Sequence, residues 1–187
     1  MNLDGILLGL LRQPSTGYEI KQAFDSIFSH IWAAELSQIY RTLKRLEHAG
    51  SLTSRAEPSD KGPERRKYAI TAKGRRHLHA WLASGPQIGD ERHAHVAQLF
   101  FLGELRDFGA TQAFLEALLE TYRRRRAALR GMESNWRSTD PAYPDRLDPD
   151  AFHSALSLQM GIRRVEALAQ WAEESVKRVR KRRARED

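Results

Sequence analysis

Within the first 70 residues the apolar side chains change period once, and that switch limits the folds open to the chain. Up to Gly50 they recur at helical spacing in three short blocks; afterwards they sit in two strand-length segments around a run of turn formers. Asp4 is a suitable N-cap for a first helix through Ile6, Leu7, Leu8, Leu10 and Leu11. Pro14 and Gly17 stop it, with Ser15 and Thr16 as loop residues between them. A second helix starts near Thr16 or Gly17 and turns Tyr18, Ile20, Ala23, Phe24, Ile27 and Phe28 inward. A third spans about 34–49 and ends on Gly50, a residue suited to the left-handed position after a helix. Segments 51–57 and 65–71 then flank Pro58-Ser59-Asp60-Lys61-Gly62-Pro63, which reads as a hairpin tip. Thr71 caps a fourth helix with Leu78, Trp81 and Leu82 on one face, closing near Gly85-Pro86. Three helices, a hairpin and a further helix predict a winged helix-turn-helix with a two-stranded wing over residues 1–85.

Residues 86–91 form a junction. Beyond it, Val96, Leu99, Phe100, Leu102 and Leu105 lie on a helix broken around Phe108-Gly109. A long helix over about 111–136 presents Phe114, Leu115, Leu118, Leu119, Tyr122 and Leu129. A proline-rich loop at 138–149 precedes a last helix over about 149–183. Its candidates for the buried side are Phe152, Leu156, Met160, Ile162, Val165, Leu168, Ala169, Ala172 and Val176. The expected fold is therefore mainly α: the winged helix, then a long-helix dimerisation and effector domain over 92–183. Residues 184–187 are expected to be a disordered basic–acidic tail. The last helix extends roughly 45–50 Å at 1.5 Å per residue, more than a domain of this size covers alone. Part of the stripe through Phe152, Leu156, Leu168 and Val176 is thus expected to meet a second copy. The alternative is an intramolecular hairpin with the 111–136 helix.

The 187 residues carry a net charge of +7, unevenly placed. Residues 1–83 hold 13 basic and 8 acidic side chains, 84–176 hold 11 and 14, and the last eleven hold 7 and 2. A localised positive surface favours polyanionic partners, because neutralised phosphates release their counterions. The absence of cysteine excludes disulfides, thiolate zinc sites and cysteine catalysis. No apolar run approaches the roughly 20 residues of a membrane helix. The apolar stretch 6–11 is short and lacks the basic flank of a signal peptide, so a soluble, cytoplasmic chain is expected. His77 and His79 point to different helix faces, and His30, His48, His93, His95 and His153 are scattered, so no metal site is expected. There is no phosphate-cradling glycine motif and no nucleophile elbow, and Glu173 and Glu174 face apart; neither an enzyme nor a cofactor is expected.

The third helix carries the sharpest signal. At 100° per residue, Leu36, Ile39, Leu43 and Leu46 share an inner arc. Gln38, Arg41 and Arg45 lie opposite, flanked by Ser37, Lys44 and His48. Such side chains hydrogen-bond base edges and clamp phosphates in a major groove. Lys61, Arg65, Arg66 and Lys67 at the hairpin tip and second strand are placed to reach flanking phosphates or the minor groove. Each feature alone is also what a solvated helix or a solubilising hairpin looks like; together they point to double-stranded DNA. The alternative is a winged-helix protein-interaction adaptor without specific DNA binding.

The stretches "ILLGLLRQPSTGYEIKQAF", "ELSQIYRTLKRLEHAGSLTS" and "GPERRKYAITAKGRRHLHAWL" occur in the order found in PadR-type transcriptional regulators, whose N-terminal domain residues 3–84 resemble. Gly17-Tyr18-Glu19, Ile39-Tyr40-Arg41-Thr42-Leu43 and Tyr68-Ala69-Ile70-Thr71 carry most of that likeness. The later helices resemble the C-terminal domain of the longer members by layout. The resemblance implies a homodimer on a palindromic operator, usually a repressor, released by a small molecule or a stress signal. It also implies a phosphate contact for Tyr40, whose alternative is a ring packed on its own domain. Trp136, Arg137, Tyr143, Phe152 and His153 gather around the proline-rich loop and would suit a phenolic acid, which some relatives sense. Aromatic packing is the alternative there, and effector residues stay unassigned.

Overall fold

Leu7, Leu8 and Leu11 lose all contact with solvent in the computed structural model, which describes residues 3–26, 28, 31–32, 34–57, 65–89 and 93–185. They belong to the first of two units, Met1–Gly89. Its elements are α1 (Leu3–Leu10), β1 (Ser15–Thr16), α2 (Gly17–Ser26), α3 (Leu36–His48), β2 (Leu52–Glu57), β3 (Arg65–Ile70) and α4 (Ala72–Ala83). Ile20 and Phe24 of α2 and Ile39, Leu43 and Leu46 of α3 complete the centre of the core, with Leu52, Tyr68 and Leu78 around it. Each such side chain contributes roughly 1.5–3 kcal/mol on burial.

Several positions differ from the sequence expectation. Asp4 lies inside the first turn of α1 rather than at its cap. Tyr18 is 62% exposed, because the inner face of α2 begins at Ile20. Leu82 is also exposed, since α4 runs past the core after Leu78 and the half-buried Trp81. Ile27, Lys61 and the rest of the hairpin tip lie outside the described residues. Ser15 and Thr16, read as loop, form a short strand on the free edge of β3; two residues are too few to show a period. The antiparallel sheet has the order β1-β3-β2, with Ser15 opposite Tyr68 and the wing running from Leu52–Ile70 to Glu57–Arg65 pairs.

The turn from α3 into the wing follows its sequence chemistry. Gly50 takes a left-handed φ of 71°, and the Ser51 amide donates back to the Leu46 carbonyl at 2.9 Å. Lys73 donates to the Ala49 carbonyl at 2.7 Å, adding a cation at the negative end of α3. Thr71 caps α4, accepting from the Gly74 amide at 3.1 Å.

The second unit, Asp90–Asp187, holds α5 (Ala94–Phe101), a 3-10 turn (Leu102–Leu105), α6 (Phe108–Thr139) and α7 (Pro149–Arg183). α6 starts earlier than its apolar pattern suggests, because Asp107 caps it through the Gly109 amide at 2.7 Å. The Phe108-Gly109 pair is thus a first turn and not a break. α7 begins with Asp148 accepting from the Ala151 amide at 3.0 Å and Pro149 in its first turn. The two long helices run antiparallel and bury Leu119, Tyr122 and Leu129 against Leu158, Ile162, Val165, Ala169 and Ala172. Arg130–Glu166 and Arg180–Glu116, each at 2.7 Å, fix their register. Leu168 and Val176, expected to meet a second copy, pack within the unit. Phe152, Leu156 and Met160, expected on the buried side of α7, are exposed. Ala184 and Arg185 continue as a turn, and residues 186–187 lie outside the described residues.

Candidate nucleic-acid interface

α3 sorts its residues by face. Ile39, Thr42, Leu43 and Leu46, spaced at i, i+3, i+4 and i+7, are buried. Leu36, expected among them, is 40% exposed; it lies about 70° from the centre of that arc and precedes the first packed turn. Ser37, Gln38, Tyr40, Arg41, Lys44, Arg45 and His48 are all exposed.

The exposed side chains are not equivalent. The Gln38 Oε1 accepts from the Glu35 amide at 3.4 Å, so Gln38 takes part in capping α3 while remaining on its outer face. The Arg45 guanidinium is ion-paired with Asp4 of α1. Arg41 and Lys44 enter no ion pair among the described residues and lie one turn apart, at i and i+3. Tyr40 lays its ring over the start of α2: a Cβ on Gly17 would sit 2.5 Å from the ring. That close approach explains why glycine stands before Tyr18, and it leaves the Tyr40 edge half open to solvent.

On the wing, Arg65 and Arg66 are exposed and Lys67 is half-buried. Arg66 Nη1 lies 3.5 Å from Glu47 Oε2, and Ser54 Oγ donates to Glu47 Oε1 at 2.5 Å, tying the wing to α3. Lys67 Nζ lies 3.5 Å from Glu57 Oε1. Glu19 adds a further carboxylate nearby. The Thr16 amide, donating at 2.7 Å, holds its carboxyl below the usual range, helped by the Lys67 and Arg65 charges. Sequence reading missed these acidic partners because they come from distant segments; only the local Thr16-x-x-Glu19 capping pattern could have flagged one.

In the second unit, the aromatic residues around the loop form two pairs. Trp136 and Tyr143 have ring centroids 5.4 Å apart with Arg137 stacked on Tyr143, whose hydroxyl donates to Glu133 at 3.2 Å. Phe152 and His153 meet edge to face. Among the described residues no group of His, Asp and Glu is arranged to hold a metal ion, and no helix is long and apolar enough to cross a membrane.

Comparison with known proteins follows the same division. Residues 6–80 match the Transcriptional regulator PadR-like family, and 91–180 match the Virulence activator alpha C-term family. A probable transcriptional regulator of Mycobacterium tuberculosis is 29% identical over 90% of this chain and 92% of its own. The negative transcriptional regulator PadR of Bacillus subtilis is 27% identical over 89% and 91%. The crystal structure of that Bacillus protein in complex with operator DNA covers 96% of this chain and 99% of its own, with a TM-score of 0.77 and 24% identity. Its complex with p-coumaric acid gives 0.72 and 25%, over 96% and 99%. The PadR-like family and both relatives are described as transcriptional regulators, not enzymes.

Proposed function

The chain belongs to the PadR-like family of transcriptional regulators, and from that premise we propose that it binds a palindromic operator as a homodimer and represses transcription until a small-molecule or stress signal releases it. The observation that carries this reading is the exposed pair Arg41 and Lys44 on α3, a helix otherwise anchored by its apolar side. A helix of this width enters a major groove, where Arg forks onto guanine and Lys meets phosphate. Ser37, Gln38, Tyr40 and Arg45 share that surface, and Arg65, Arg66 and Lys67 extend it onto the wing. Tyr40, half exposed with the hydroxyl end of its ring resting on Gly17, meets a phosphate from its solvent side. Lys61 is assigned to the same set from its place in the hairpin sequence.

Two copies supply what one cannot. A half-site of about four or five base pairs carries little specificity, and symmetric pairing of recognition helices multiplies it. The exposed apolar residues of α5 and of the first half of α7 support a second copy as their cover. The Bacillus relative's complex with p-coumaric acid supports an aromatic acid as the effector class.

Titrating the protein against a duplex from its own upstream region, by fluorescence anisotropy at several salt concentrations, tests the reading. Log affinity should fall linearly with log salt, at about 0.9 per phosphate contacted, and p-coumarate should weaken the complex. Absent or salt-insensitive binding contradicts it and leaves the adaptor role.

A further inference from the structure

Three cations of the recognition helix and wing are each held by a carboxylate of their own unit: Arg45 by Asp4, Arg66 by Glu47 and Lys67 by Glu57. Arg41, Lys44 and Arg65 enter no such pair among the described residues. The Asp4–Arg45 pair stands apart from an ordinary neighbour pair along a helix, such as Lys21–Asp25, because its members are 41 residues apart. It exists only because α1 packs against α3.

We infer that Asp4 is a specificity-setting residue, which occupies Arg45 in place of a phosphate so that Arg45 engages DNA only where base edges add to the attraction. This rests on the DNA-binding reading above. The Asp4 side chain is 22% exposed and that of Arg45 60%, so the carboxylate sits against the body while the guanidinium stands out into solvent. Asp4 sits in the first turn of α1, where the positive end of the helix favours its charge. An exposed ion pair is weak, so it does not lock Arg45. Leaving Asp4 for a phosphate, however, exchanges one anion for another and bares a carboxylate beside a polyanion. Where a guanine edge adds its two acceptors to the attraction of the phosphates around it, the exchange becomes favourable. The carboxylate thus discriminates by penalising wrong partners. Arg45 lies four residues from Arg41 on the same face, where a penalty on indiscriminate contact has most effect.

The test is salt-dependent binding of full-length wild type, Asp4→Asn, Asp4→Glu, Arg45→Ala and the Asp4→Asn/Arg45→Ala double variant to a 30-base-pair duplex of mixed random sequence. Thermal melts verify folding. Asp4→Asn should tighten this non-specific binding about two- to fivefold, the span of an exposed ion pair. It should also steepen the log–log salt slope by about 0.9, one added phosphate contact. Asp4→Glu should keep the wild-type slope, and the double variant should match Arg45→Ala. From a randomised duplex pool, Asp4→Asn should select a broader set of sequences than wild type. Glu120→Gln, a charge change in the second unit, should leave the slope alone. Equal slopes for Asp4→Asn and wild type, with binding retained, overturn the inference and spare the DNA reading. An undiminished Asp4→Asn effect in the Arg45→Ala background also overturns it, because the charge would then act without its partner. Absence of salt-dependent binding by every protein removes the DNA reading and this inference together.

Discussion

The N-terminal unit buries Leu7, Leu8, Leu11, Ile39 and Leu43 completely, whereas α5 of the second unit buries no side chain, and Phe100, Phe101 and Met160 are 81%, 65% and 65% exposed. The contrast separates two jobs. A closed core lets the first unit spend its outer face on charge, and residues 1–83 hold 13 basic against 8 acidic side chains. The second unit packs one face of α7 on α6 from Leu158 to the Arg180–Glu116 pair and leaves Phe152, Leu156 and Met160 exposed on another face, as a half-built core does. On the function proposed above, recognition and assembly fall to different halves of the chain.

The largest effect expected from this contrast is in the closed core. Leu43→Ala removes a fully buried anchor of α3 and should cost about 2–5 kcal/mol, measured by urea unfolding followed through a probe in the first unit. An unchanged midpoint would mean that α3 is not held as described. The corresponding change in the second unit acts differently. Met160→Asp should leave the fold of its own chain intact and weaken self-association by about 2 kcal/mol or more, read from sedimentation across a dilution series. Loss of folded helix without a change in association state would place Met160 in an intramolecular core and erase the distinction.

A smaller effect concerns pH. His95 of α5 lies 3.1 Å from the Tyr122 hydroxyl of α6, and burial, with the His93 and Arg125 charges adding to it, holds its pKa below the ordinary histidine value. A depressed histidine stabilises the fold fully above its unfolded pKa, and the contribution is lost as pH falls from about 6.5 through the folded value. The melting temperature of the second unit should therefore drop between pH 7.5 and 5.5. His95→Gln should flatten that drop, and an equal drop in the variant would show that other groups cause it.

What the sequence disclosed tracks the range over which each signal acts. Local chemistry was readable: Thr71 caps α4, Pro149 opens α7, Gly50 closes α3, and the 3.6-residue period of Ile39, Leu43 and Leu46 sets the orientation of α3. Contacts between distant segments were not. Nothing near Ser15 and Thr16 announces a strand partner at Tyr68 and Lys67, and nothing near Arg45 points to Asp4. Position along an element mattered as well. Tyr18, Leu36 and Leu82 have the right spacing for burial but sit at helix ends, beyond the reach of the core. Along α7, Phe152, Leu156 and Met160 repeat every four residues on a face turned away from the Leu158, Ile162 and Val165 stripe, and spacing alone does not tell the two faces apart.

The direct test of the central claim compares wild type, Arg41→Ala and Arg65→Ala on sequences selected by the wild-type protein and on random duplex. Arg41→Ala should cost about 1–3 kcal/mol on selected sequences and relax the preference at one base position, while Arg65→Ala should weaken both duplexes by the same factor. An unchanged ratio of selected to random affinity for Arg41→Ala would contradict a base-reading α3.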